Sequence, residues 1–191
     1  IIENVQFSLP GKHNLMNALA AFAMEDSHEI PSESIKESLK SFKGVERRFS
    51  YRMKTDDLVL IDDYAHHPTE IEAVYQAVQE MYPGEKNMVI FQPHLFSRTQ
   101  DFIDDFASAL EKFDEILLLD IYPARELPIE GVNSEWLLGK INNGNKKLTY
   151  REDLVAEIQK SDAKIVKVCL SLLPLISFFL FLIYFNVILP S

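Results

Sequence analysis

The chain has 191 residues, of which 47% are hydrophobic, so it can bury a core for one domain or for one domain and part of another. Its 29 Asp and Glu outnumber its 19 Lys and Arg, and the formal net charge is −10. That balance argues against a nucleic-acid-coating surface, and the single cysteine, Cys169, excludes an internal disulfide and a cysteine-based zinc site.

The first fifty residues predict a short strand followed by two helices. Val5 to Leu9 has the pattern of a strand, and apolar residues at helical spacing then predict a helix from His13 to about Glu25. Its expected buried stripe is formed by Leu15, Met16, Leu19, Phe22 and Ala23. Pro31-Ser32 opens a second predicted helix that ends before Gly44. We expect a domain boundary near residues 45–49, where the pattern changes.

The next part of the chain alternates apolar runs with amphipathic helices. The apolar runs are Leu58-Val59-Leu60-Ile61, Met88-Val89-Ile90-Phe91 and Ile116-Leu117-Leu118-Leu119. Such continuous runs are typical of strands that are buried on both faces. A helix that begins at Pro68 and another over residues 102–113 separate them, and two more helices are predicted near residues 133–141 and 152–159. The fold class predicted is therefore α/β with a Rossmann-like, mostly parallel sheet.

Polar residues follow each apolar run, where the ligand crevice of a parallel sheet is expected. The three segments are Asp62-Asp63-Tyr64-Ala65-His66-His67-Pro68, Gln92-Pro93-His94 with Ser97-Arg98, and Asp120-Ile121-Tyr122-Pro123-Ala124-Arg125-Glu126. For any single residue a helix cap, a turn or a solvated charge explains the position equally well. The clustering of His66, His67 and His94 favours a functional site, but these histidines lack a tetrahedral ligand set, so no metal site is predicted.

The first predicted helix carries a second polar group. His13, Asn14 and Asn17 lie at its start, and the two asparagines share a face because they are three residues apart. An amide offers a donor and an acceptor, which matches the edge of adenine, although Asn14 could simply cap the helix. The pattern Gly-x-x-x-x-Gly-Lys-Ser/Thr is absent, so no phosphate loop is predicted.

Four motifs in this order and spacing resemble the Mur ligases over roughly Val5 to Lys164. They are Gly11-Lys12-His13-Asn14-Leu15-Met16-Asn17, Glu46-Arg47-Arg48-Phe49, Asp62-Asp63-Tyr64-Ala65-His66-His67-Pro68-Thr69-Glu70 and Phe91-Gln92-Pro93-His94-Leu95-Phe96-Ser97-Arg98-Thr99. Leu95 departs from a version of the last motif that has a second arginine there, which removes one expected anionic contact.

The resemblance implies a domain organisation. Mur ligases have a UDP-sugar domain, a central ATP-binding domain with the phosphate loop, and a Rossmann-like C-terminal domain. Residues 1–44 would then be the end of the central domain and residues 45–164 the C-terminal domain. The chain begins without methionine, so we expect a C-terminal fragment that is inactive alone.

The resemblance is to the branch that joins L-alanine to UDP-N-acetylmuramate during peptidoglycan synthesis in the cytoplasm. ATP phosphorylates the sugar carboxylate, and the amine then attacks the acyl phosphate, with Mg²⁺ held mainly by the central domain. The implied ATP contacts are His13, Asn14 and Asn17 for adenine, and Arg48 and Asp63 for the phosphates and ribose. The implied substrate-binding residues are Tyr64, His66, His94, Arg98 and Arg125, with His66, His94 and Arg98 also expected to be catalytic.

Two other functions remain open. A sister ligase that joins a peptide to the same sugar would share the Asp-Asp-x-x-His-His-Pro stretch, although Gln92-Pro93-His94 argues against it. A non-catalytic nucleotide-binding fragment is the third possibility.

Residues 165–191 form an atypical apolar tail with two interpretations. Val168 to Leu189 is long enough to cross a bilayer, and lysines precede it, so it could anchor the protein in a membrane. Alternatively, a frameshift replaced the true terminus. We favour the frameshift because the tail begins abruptly where the family has a strand.

Overall fold

The structure is a computed structural model that describes residues 3–7, 9–45, 47–161 and 165–169. Within them, a helical unit precedes a six-stranded α/β sheet. The predicted class, an α/β fold with a mostly parallel sheet, is confirmed.

The helical unit consists of α1 (Lys12–Ser27) and α2 (Ser32–Ser41). The strand predicted from Val5 to Leu9 is wrong for the residues described there, which lie in no strand. A strand persists only where its N–H and C=O groups find a neighbouring strand, and none of the described strands pairs with this segment.

The buried stripe predicted for α1 is also wrong. Leu15 and Leu19 are each 59% exposed, Met16 is 53% exposed, Ala23 is exposed and Phe22 is half-buried, whereas Ala18 is the buried residue among the described side chains of this helix. Apolar spacing predicted the helix correctly, but it could not show that the described chain leaves this face uncovered.

The sheet has the strand order β1-β2-β6-β3-β4-β5. Its strands are β1 (Ser50–Lys54), β2 (Val59–Asp62), β3 (Asn87–Phe91), β4 (Glu115–Leu118), β5 (Lys146–Leu148) and β6 (Ile165–Cys169). The first strand runs antiparallel to its neighbour and all other pairs are parallel. The three predicted apolar runs form β2, β3 and β4.

Helices cover both faces of the sheet. They are α3 (Pro68–Met81), α4 (Phe96–Asp101), α5 (Ile103–Leu110), α6 (Ser134–Lys140) and α7 (Leu154–Lys160), with a 3-10 turn at Arg151–Asp153. Alternate strand residues enter two cores: Phe91 packs with Phe106 of α5 on one face, and Ile90 packs with Leu154 of α7 on the other. Burial on both faces explains why these strands are continuous apolar runs.

The beginning of the predicted tail needs correction. Ile165–Cys169 is a strand at the centre of the sheet, paired in parallel with β2 and β3. The chain therefore supplies this strand. Its end could not be predicted from the sequence, because apolar residues continue after it. Residues 170–191, which include most of the proposed anchor, lie outside the described residues. In the part that the structure describes, no helix is both long and apolar enough to cross a membrane.

Candidate nucleotide and substrate site

A turn before β1 is tied to the end of β2 by Asp63. Its Oδ2 accepts the N–H of Phe49 at 2.8 Å, and its Oδ1 accepts the N–H of Ala65 at 2.7 Å. Arg47 and Phe49 both have left-handed backbone angles, with φ of 60° and 49°, which are costly for residues with a Cβ. Asp63 therefore holds Arg48, the residue between them, in a constrained turn.

Beneath this turn lies a buried charged cluster. Arg52 donates to Oδ2 of Asp62 through Nε at 3.0 Å and Nη2 at 2.8 Å, and Nε of Arg47 lies 3.8 Å from Oδ1. Burial raises the pKa of Asp62, while the two guanidiniums oppose the shift. The guanidinium of Arg47 also stacks 4.7 Å from the ring centre of Tyr64. Sequence reasoning missed Arg47, since a charged residue between polar neighbours is expected to be exposed.

A cleft of about 760 Å³ opens between the helical unit and α3. It brings together Asn14 and Asn17 of α1, Arg48 of the constrained turn and Asp63 at the end of β2. Its apolar wall includes Phe7, Leu9, Phe22, Leu39, Phe42 and Val45. Four of the five residues predicted to contact ATP thus line one cavity, and the fifth, His13, lies in the first turn of α1.

The two asparagines are held differently. The side-chain Nδ2 of Asn14 donates to the carbonyl of Pro10 at 2.7 Å, which fixes the amide at the start of α1. Asn17 is exposed on the next turn. Asn14 therefore has a structural task beside any contact with a ligand.

Glu70 is a cleft residue that the sequence analysis did not assign. It occupies the third position of α3 in a capping box with His67, whose Nδ1 accepts the N–H of Thr69. Oε2 of Glu70 accepts the N–H of His66 at 2.9 Å, and Oε1 accepts Nη1 of Arg48 at 3.4 Å. Burial raises the pKa of Glu70, but the His66 N–H, His66 and Arg48 outweigh burial, so its pKa lies below the ordinary value.

A second group, the strand-end cluster, lies where β2 and β3 end. It contains Tyr64, His66, His94 and Arg98. The rings of Tyr64 and His66 are 4.8 Å apart, and Nδ1 of His66 is 3.0 Å from the carbonyl of Tyr64. The ring of His94 lies 5.5 Å from that of Tyr122, and a parallel bridge joins the backbones of these two residues.

Arg98 affects the pKa of His94 in this cluster and offers a site for an anion. Burial, the guanidinium of Arg98 and the nearby His66 lower the pKa of His94, against a smaller opposing effect of Glu126. Nη1 of Arg98 is buried and has no hydrogen-bond partner among the described residues. A buried guanidinium nitrogen without a partner is costly, so this position suits an anionic ligand.

The loop after β4 closes this edge. Glu126 accepts both the hydroxyl of Ser97 at 2.5 Å and its N–H at 3.1 Å, and these bonds lower the pKa of Glu126. Arg125, in the same loop, is exposed and makes no hydrogen bond or ion pair with the residues that the structure describes, so its contact with the substrate stays a prediction. No group of three or more His, Cys, Asp or Glu within the described ranges is placed to hold a metal ion.

Comparisons with known proteins agree with this architecture. The family model described as Mur ligase, glutamate ligase domain, matches residues 47–170. The chain therefore belongs to the Mur ligase family.

Individual relatives extend the likeness beyond the matched domain. The chain is 59% identical over 166 residues to UDP-N-acetylmuramate–L-alanine ligase of Flavobacterium johnsoniae, covering 87% of this chain and 37% of that protein. It is 61% identical over 165 residues to the same ligase of Flavobacterium psychrophilum, covering 86% and 37%. The chain thus spans just over a third of the length of these relatives.

A solved structure shows the same fold. The UDP-N-acetylmuramate-alanine ligase of Thermotoga maritima superposes with a TM-score of 0.72 at 25% identity, covering 97% of this chain and 40% of that one.

Proposed function

We propose that this chain is the adenine-side and amino-acid-side part of an ATP-dependent ligase that joins L-alanine to UDP-N-acetylmuramate in peptidoglycan synthesis. The observation that carries the proposal is the cleft that gathers Asn14, Asn17, Arg48 and Asp63, with the strand-end cluster directly after Asp63. The identity to named L-alanine ligases supports the choice of substrates. Such a reaction belongs in the cytoplasm.

The cleft fits a nucleotide. Its apolar wall suits the adenine ring, and the amides of Asn14 and Asn17 suit the adenine edge. Arg48 keeps a half-exposed side chain that can pair with phosphate oxygens. Both oxygens of Asp63 already accept backbone N–H groups, but a carboxylate oxygen has a second lone pair and can still accept a ribose hydroxyl. Mg²⁺ is assigned to the central domain of the ligase.

The strand-end cluster fits the amino acid. The unpartnered Nη1 of Arg98 is suited to the carboxylate of L-alanine. Because the pKa of His94 is lowered, its ring is neutral near pH 7, and its unprotonated nitrogen can take a proton from the ammonium group of L-alanine, which leaves the free amine to attack. Tyr64 and His66 form the adjoining wall and place the reacting carboxylate. The catalysis assigned to these residues is therefore positioning and charge stabilisation.

We assign residues 1–44 to the end of the central ATP-binding domain. The exposed apolar face of α1 supports this assignment, because such a face needs a covering surface. In the complete ligase, the remainder of the central domain would supply that cover and the phosphate loop. Residues from 45 onward are assigned to the C-terminal domain.

The proposal is tested by measuring phosphate release from ATP with UDP-N-acetylmuramate, Mg²⁺ and an amine. A full-length form that includes the amino-terminal part of the relatives is expected to require L-alanine, and the 191-residue chain alone is expected to release no phosphate, because it lacks a phosphate loop. A full-length enzyme that prefers a peptide amine would support the sister ligase instead. Ligation by the 191-residue chain alone would contradict the proposal.

A further inference from the structure

Glu70 contacts both halves of the site through its two carboxylate oxygens. Oε2 accepts the N–H groups of His66 and His67 at 2.9 and 3.2 Å, and it lies 3.3 Å from Nδ1 of His66. Oε1 lies 3.4 Å from Nη1 of Arg48. We propose that Glu70 is a positioning residue that couples the nucleotide cleft to the amino-acid site by holding Arg48 and His66 at once. This inference rests on the proposed function.

The capping box accounts for only part of this geometry. A residue at the third position of a helix caps it by accepting backbone N–H groups, and Oε2 alone does that here. The contact between Oε1 and Arg48 reaches 22 residues back along the chain and contributes nothing to the cap. Glu70 therefore has one oxygen for the helix and one for the cleft.

The contact between Glu70 and Arg48 is weak enough for a phosphate group to replace it. At 3.4 Å it is a long hydrogen bond, and 49% of the Arg48 side chain is exposed. Phosphate oxygens that enter the cleft can compete for this guanidinium, while the remaining contact keeps it aimed at them. Glu70 also lines the cleft, so its charge acts directly on the position that Arg48 occupies.

The contact with His66 leads to the amino-acid site. Oε2 of Glu70 accepts the backbone N–H of His66 and lies 3.3 Å from Nδ1 of its ring, and that ring packs against Tyr64. His66 is also a neighbour of His94, and burial, Arg98 and His66 together lower the pKa of His94. A change in how Glu70 is shared between Arg48 and His66 therefore reaches the residues assigned to L-alanine.

The test is Glu70→Gln in the full-length ligase, with Glu72→Gln as the matched control. Glutamine keeps an oxygen for the cap and loses the charge that holds Arg48. Glu72 lies on the same helix with the same 29% side-chain exposure, but it pairs with Lys112 away from the cleft. Glu70→Gln is expected to raise KM for ATP and KM for L-alanine by about 3- to 10-fold each, with kcat changed less than about twofold. Glu72→Gln is expected to change neither KM.

A double-mutant cycle of Glu70→Gln with Arg48→Ala separates the contact of Glu70 with Arg48 from its contact with His66. In that background, Glu70→Gln should no longer raise KM for ATP, because its partner is gone, but should still raise KM for L-alanine. Glu70→Ala, which loses the cap as well, is expected to lower the melting temperature by about 2–4 °C, whereas Glu70→Gln leaves it nearly unchanged.

The inference would be overturned by an active Glu70→Gln enzyme with both KM values unchanged, or by one in which KM rises for a single substrate. A Glu70→Gln protein as unstable as Glu70→Ala would show that the residue acts as a cap alone and would overturn it too. Failure of the proposed function looks different, since the wild-type full-length protein would then lack L-alanine-dependent turnover.

Discussion

The sheet body, from Arg47 to Cys169, and the helical unit that precedes it use apolar residues in opposite ways. In the body, Ile71 and Phe106 are fully buried, and helices cover both faces of the sheet. In the helical unit, Leu19 is 59% exposed and Met24 is 66% exposed. The sheet body completes its own core, whereas α1 presents an apolar face that the described chain does not cover. The cleft lies between the helical unit and the sheet body.

The largest expected effect tests this contrast in stability. Phe106→Ala removes a fully buried ring that packs 5.4 Å from Phe91, and it should lower the free energy of unfolding of the chain by about 3–5 kcal/mol. Leu19→Ala should change it by less than about 0.5 kcal/mol in the chain. In the full-length protein the same Leu19→Ala change should cost about 1–3 kcal/mol, because a covered leucine loses its contacts. Urea unfolding measures each value. Equal losses of unfolding free energy for Phe106→Ala and Leu19→Ala in the chain would contradict the difference between the two regions.

The next effect concerns the edge of the sheet body. In the full-length ligase, Arg98→Ala should raise KM for L-alanine by about 10- to 100-fold and KM for ATP far less, because it removes charged donors from the amino acid's carboxylate. Arg125→Ala, at an exposed arginine without a described partner, should have less than about a tenth of that effect. Steady-state kinetics with each substrate varied separately measures both, and equal effects on ATP and L-alanine would count against the role of Arg98.

A smaller effect probes the helical unit's side of the cleft. Asn17→Ala should weaken nucleotide binding by about 2- to 10-fold without changing the melting temperature, because Asn17 is exposed. Asn14→Ala should weaken binding and also lower the melting temperature, because the amide of Asn14 holds the carbonyl of Pro10. Calorimetric titration with a non-hydrolysable ATP analogue compares the two in the full-length ligase, and unchanged binding in both would remove the asparagines from the site.

The smallest effect is a pH dependence. Burial, Arg98 and His66 lower the pKa of folded His94 below the ordinary value near 6.5, so the unfolded chain takes up this proton first as the pH falls. His94 therefore lowers stability as the pH falls from 6.5 towards its folded pKa. His94→Gln should flatten this part of the stability curve, which unfolding at pH 7.5 and pH 5.5 measures. An identical slope in the variant would mean that His94 is not perturbed.

Sequence patterns predicted the centre of the sheet but not its edges. The runs that form β2, β3 and β4 are apolar because they are buried on both faces. The missed strands β1 and β5 have the sequences SYRMK and KKL and lie at the two edges, where charged side chains reach solvent. The central strand β6 was missed for another reason, since its apolar residues run on without a turn signal.

For the candidate site, the sequence motifs indicated which residues to consider, but they did not show the contacts between them. Strand-end rules predicted that Asp63, His66 and His94 lie in one region; in the structure His66 and His94 belong to the strand-end cluster, and Asp63 lines the cleft. Glu70 was assigned no role, because the sequence shows only that it follows Pro68 at the start of a helix, and the oxygen that reaches Arg48 is visible only in three dimensions. Arg125 follows the same strand-end logic, yet its side chain is exposed. The order of residues along the chain thus could not show which side chains after a strand are buried and which are exposed.

The most direct test is a crystal structure of the full-length protein with a non-hydrolysable ATP analogue and L-alanine. We expect the adenine to lie against Asn14 and Asn17, phosphate oxygens to lie within hydrogen-bond reach of Arg48, and the carboxylate of L-alanine to contact Arg98. A nucleotide bound away from the cleft, or an L-alanine carboxylate that does not contact Arg98, would contradict it.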